Sequence, residues 1–239
     1  MRRDMIAHFL GASGILCALL ALIAVFDQAW EQVYGWLGIA LIIQAASADI
    51  PAVLPIFDSF ETQDLEDQGP HVPISSIAAF LTTVFVPVVA MLHAGFLDGW
   101  AGAAVASIVI LAALYRLAFM IQPDHTEARF LGLPTAWSVI GFYLHTFDAT
   151  PLAAVLTIGL GIVLGLVPLN WPNPVRSERW TLATRAVVVV WFVTAAYILA
   201  HGFQATAPIT KAILLAIVSY GLVLTALLAR APAQQIEKN

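Results

Sequence analysis

Between Arg3 and Arg116 the chain has no lysine or arginine at all. Inside that gap lies an acidic run, Asp58, Glu61, Asp64, Glu66 and Asp67, with no cation nearby in sequence to pair with it. Such a run is excluded from hydrocarbon, so it lies in water or binds cations. Charge is scarce throughout: 10% of the 239 residues are charged and 61% are hydrophobic. With a mean hydropathy of +0.89, there is too little polar surface to cover a soluble globule, and the composition reads as a polytopic membrane protein. Cys17 is the only cysteine, which excludes an intrachain disulfide and leaves it as a small core residue. A glycine-rich phosphate loop, a Ser-His-Asp pattern and a nucleic-acid footprint are all missing. His8, His71, His93, His125, His145 and His201 are scattered without ligand spacing, which argues against a histidine metal site.

What is present is a series of long apolar runs. At roughly 20 residues per span, the chain has room for about eight transmembrane helices in a single domain over residues 1–233, followed by a short polar tail, residues 234–239. The runs are Met5 to Phe26, Val33 to Phe57, Ile74 to Leu97, Ala101 to Ile121, Pro134 to Phe147, Leu152 to Leu169, Thr181 to Ala200 and Pro208 to Ala229. The first is longer than the core of a usual signal peptide and lacks a small-x-small cleavage site, so it reads as a retained helix. Alternating the runs with the N-terminus inside puts Arg2, Arg3, Arg129, Arg176, Arg179, Arg230 and Lys238 on the cytoplasmic side. The opposite loops carry none, and only Lys211 sits just inside a span beside them; the expected arrangement therefore has both termini in the cytoplasm. Arg116 and Arg185 fall within spans, near cytoplasmic ends where a long stem reaches the interface.

Three features could carry chemistry. The acidic run is either a Mg²⁺ or Mn²⁺ site or a solvated loop. Asp49 is a carboxylate inside an apolar run, which marks a functional candidate unless the helix has already ended before Pro51 and left it wet. The stretch Leu166 to Trp180 is broken by prolines and asparagines and carries Arg176 and Arg179 between Trp171 and Trp180. Cations at headgroup depth bind lipid phosphate, or simply anchor the chain.

The segments Phe130-Leu-Gly-Leu-Pro-Thr-Ala-Trp-Ser138 and Val167-Pro-Leu-Asn-Trp-Pro-Asn-Pro-Val-Arg176 resemble the downstream half of bacterial phosphatidylcholine synthase, of the CDP-alcohol phosphatidyltransferase family. Ala7-His-Phe-Leu-Gly-Ala-Ser-Gly14, Trp36-Leu-Gly-Ile-Ala-Leu41 and Val86-Pro87 are similar as well, so the resemblance covers nearly the whole chain. It implies an all-α, eight-helix bundle in the bacterial inner membrane. It further implies a reaction in which the phosphatidyl group of CDP-diacylglycerol passes to choline with release of CMP, helped by Mn²⁺ or Mg²⁺. A homodimer is compatible with this reading. On it, Arg116, Arg129, Asn170, Arg176 and Arg179 are lipid-phosphate or headgroup contacts at the cytoplasmic face.

The chain departs from the family's carboxylate signature, D-x-x-D-G-x-x-A-R followed by G-x-x-x-D-x-x-x-D. Counting from Trp36 and from Pro87 places its carboxylates at Gln44, Ser47, Ser75 and Ala79, its glycine at Ala48 and its arginine near Ala52. Those carboxylates would share helix faces and hold cations against a pyrophosphate. Asp64 and Asp67 keep the first spacing but are followed by Gln-Gly-Pro-His, so they and Asp49 are weak metal candidates and no catalytic residue is assigned. Ser138 and Asn173 stand where the family usually has Asn and His. Several accounts stay open: a working synthase with its site elsewhere, a catalytically inactive member that binds lipid or a partner, or a local reading-frame slip between Gln44 and Ile74. An unrelated small transporter is a further alternative, hinted at only by Pro51 and Pro55.

Overall fold

The computed structural model describes residues 2–53, 74–119, 129–131, 137–166, 170–172 and 181–230. In chain order the helices are α1 (Arg2–Phe26), α2 (Trp30–Val53), α3 (Ile74–Phe80), α4 (Val86–His93) and α5 (Gly99–Phe119), then α6 (Trp137–Thr146), α7 (Pro151–Leu166), α8 (Thr181–His201) and α9 (Pro208–Arg230). A π-helical turn, Leu81–Phe85, joins α3 to α4. A helix lies at each of the expected apolar runs. Two of them, over Leu182–His201 and Pro208–Ala226, are long and apolar enough to cross a membrane, and Ser13–Phe26, Ile77–His93, Gly99–Tyr115 and Pro151–Leu166 are shorter apolar stretches. Helix α2 continues through Asp49 and Pro51 to Val53, which removes the reading in which it stops before Pro51. The acidic run and the polar tail lie outside the described residues.

Among the described residues the one exception to an all-helical chain is a ribbon of two short antiparallel strands, β1 (Arg129–Leu131) and β2 (Asn170–Pro172). The sequence alone reads both as loop. Pro172 has no N–H to give a ladder, so a strand ending there is necessarily short.

The chain divides into two compact units, residues 1–106 with 135–142, and residues 107–134 with 143–239. In the first unit α1 is the common element, lying against α2, α3, the π turn and α4. Its inward face is small: Cys17, Ala18, Ala21 and Ala24 are buried with Val33, Leu37 and Ala40 of α2. Small residues let helices approach closely and gain dispersion contacts, the usual basis of packing where solvent is apolar too. A Cβ on Gly14 would sit 3.1 Å from the Cβ of Ala78. At Gly141 of α6 it would sit 2.6 Å from the hydroxyl of Tyr34 on α2. The Tyr34 ring meets Phe142 edge-on at 5.9 Å.

The π turn has a cause in the sequence. Pro87 has no N–H, and in a regular α-turn its ring would collide with the carbonyl four residues back. Widening the turn avoids this, and the Val86 N–H donates to the Leu81 carbonyl, five residues back. Thr82 and Thr83 are buried, and their hydroxyls donate to the carbonyls of Ala78 at 2.8 Å and Ala79 at 2.7 Å respectively. No buried hydroxyl is left over at the turn.

In the second unit a polar clamp crosses three helices. Trp191 Nε1 of α8 donates to Tyr143 Oη of α6 at 3.2 Å, and Tyr143 Oη donates to the Leu214 carbonyl of α9 at 3.3 Å. A second tie joins the hydroxyls of Thr184 on α8 and Tyr220 on α9 at 3.0 Å. Helix α9 also packs against β2.

Helix ends are set by tight caps. After α1, the Gln28 N–H donates to the Val25 carbonyl and the Ala29 N–H to the Ala24 carbonyl, with Gln28 at φ 54°. After α6 the same pair of bonds forms at Asp148 and Ala149, with Asp148 at φ 48°. After α4 it forms at Gly95 and Phe96, with Gly95 at φ 78°. All three are Schellman motifs.

Candidate functional site

The ribbon is the feature that brings candidate residues together. Arg129 pairs with Pro172, Phe130 with Trp171, and Leu131 with Asn170. Arg129 and Asn170 therefore belong to one two-stranded element, although residues 130–169 lie between them in the chain. Helices α6 and α7 occupy most of that interval, and the ribbon closes it.

The other candidates fall as follows. Arg116 lies in the last turn of α5 and Asp49 in the last two turns of α2. Arg176, Arg179, Asp64 and Asp67 lie outside the described residues. Among the described residues no group of three or more His, Cys, Asp or Glu side chains could hold a metal ion. Sequence reading noted Ser138 only as standing where the family usually has Asn; it lies at the start of α6, and its buried hydroxyl makes no hydrogen bond among the described residues. It also missed the Trp191–Tyr143–Leu214 clamp, because nothing local in sequence pairs residues so far apart.

No family model matches the chain. Curated proteins do. It is 28% identical over 207 residues to a phosphatidylcholine synthase of Bradyrhizobium diazoefficiens, covering 86% of this chain and 74% of that protein. It is 26% identical over 198 residues to those of Rhizobium meliloti and Agrobacterium fabrum, covering 82% of this chain and 79% of each. The chain is homologous to phosphatidylcholine synthases. The resemblance carried by the segments around Phe130 and Val167 is therefore upheld, and the ribbon lies within those two segments.

Paired strand residues have Cα atoms about 4.5–5.5 Å apart, within the range a disulfide bridges. In a Cys17→Ala background, Phe130→Cys with Trp171→Cys should form an intramolecular crosslink on mild oxidation. Failure of this pair to link, with the protein still folded in detergent, would contradict the ribbon.

Proposed function

We propose that the chain is a membrane-embedded phosphatidyltransferase of phospholipid biosynthesis, of the phosphatidylcholine synthase type. In that reaction the choline hydroxyl oxygen bonds to the phosphatidyl phosphorus of CDP-diacylglycerol, the bond to CMP breaks, and the hydroxyl proton is lost. The observation that carries the reading is the similarity to phosphatidylcholine synthases over 86% of the chain. Arg116, Arg129, Asn170, Arg176 and Arg179 are the proposed headgroup and phosphate contacts, since arginine pairs well with phosphate oxygens.

The proposed setting is the bacterial inner membrane, crossed eight times with both termini in the cytoplasm. Three features support it: a helix at each apolar run, the one-sided distribution of arginine and lysine, and outward-facing apolar side chains such as Leu152, Leu182 and Val193. The described connections between helices fit it too. The short ones, over 27–29, 94–98, 147–150 and 202–207, all fall on the periplasmic side of this topology. On this topology the ribbon is cytoplasmic, where a water-soluble acceptor and CMP are handled.

Reporter fusions after Asp98 and Ala149 should read as periplasmic, and fusions after Gly69, Glu127, Glu178 and Asn239 as cytoplasmic. Gly69 and Asp98 reporting the same side would overturn the span count between them. For the site, Arg176→Ala with Arg179→Ala should weaken CDP-diacylglycerol binding by about 1 kcal/mol per charge. Unchanged binding in the double variant would make these arginines simple anchors.

A further inference from the structure

The resemblance implies Mn²⁺ or Mg²⁺, hard cations that take oxygen ligands, with carboxylates supplying the charge. The donor set on α2 and on Ile74–His93 does not fit a resident pair of such ions. Helix α2 carries Glu31 in its first turn and Asp49 near its other end, about five turns away. The segment Ile74–His93 carries no carboxylate. Ser75 and Ala79 both precede the π turn, so their four-residue spacing along α3 is that of an ordinary helix and neither supplies a charge.

Backbone oxygens do not replace the missing side chains. The carbonyls of Ala78 and Ala79 accept the hydroxyls of Thr82 and Thr83, and the Ala79 carbonyl takes a second bond from Thr82 at 3.2 Å. Ala78 is itself buried, with the α1 backbone at Gly14 close against it.

We infer that α2 and α3 hold no divalent cation on their own. A cation in that region needs oxygens from a ligand, as Mg²⁺ commonly does when one carboxylate and substrate phosphates share it. The identity of that ligand, the pyrophosphate of CDP-diacylglycerol, rests on the proposed function; the inference about the helices does not.

The test is titration of the detergent-solubilised full chain with Mn²⁺ alone, following free Mn²⁺ by electron paramagnetic resonance. Retention of labelled CDP-diacylglycerol is measured separately without metal, so loss of lipid binding counts against the proposed function and not against this inference. The expected result is no saturable Mn²⁺ binding that changes on Asp49→Asn. Binding that disappears in the combined variant Asp58→Asn, Asp64→Asn and Asp67→Asn but persists in Asp49→Asn would place the ion outside these helices and support the inference. One equivalent of Mn²⁺ bound without lipid and released by Asp49→Asn would overturn it.

Discussion

The constraint on which the rest depends is the apolar exterior. Trp100 is 93% exposed and Leu182 85% exposed, and similar side chains face outward along α1, α5, α7, α8 and α9. In the proposed membrane setting, an apolar exterior in hydrocarbon removes the usual drive to bury such side chains, so helices associate through close packing and internal hydrogen bonds. Both are seen: the small face of α1 with Gly14 against Ala78, and the Trp191–Tyr143–Leu214 clamp. The hydroxyls of Thr82, Thr83 and Thr225 likewise turn back onto their own helices.

The same constraint separates scaffold from site. Short connections close with Schellman caps at Gln28, Gly95 and Asp148, two of them without glycine. The ribbon carries Arg129 and Asn170 outside the apolar helices, where polar groups that hydrocarbon would penalise can be used. Pairing β1 with β2 fixes the spacing of Arg129 and Asn170 without placing either on a helix.

Much of this was legible in the sequence, because apolar runs and their breaks are local. The eight runs anticipated the helices to within a few residues at most ends, and Cys17 was read as core, where it is buried. The ribbon was not legible, since Phe130-Leu and Asn170-Trp-Pro carry too short an alternation to signal strands, and their pairing is long-range. Pro51 leaves the end of α2 open in the sequence; the structure carries the helix through it to Val53. The resemblance to phosphatidylcholine synthases rested on motif segments and is matched by similarity over most of the chain.

The most direct measurement of the central claim is phosphatidyl transfer itself. Purified chain in vesicles containing CDP-diacylglycerol would be given labelled choline across a range of Mn²⁺ concentrations. The account predicts labelled phosphatidylcholine above a protein-free control, at a rate still rising at Mn²⁺ concentrations well above those that saturate a preformed carboxylate site. Bound CDP-diacylglycerol with no phosphatidylcholine at any Mn²⁺ concentration would contradict it.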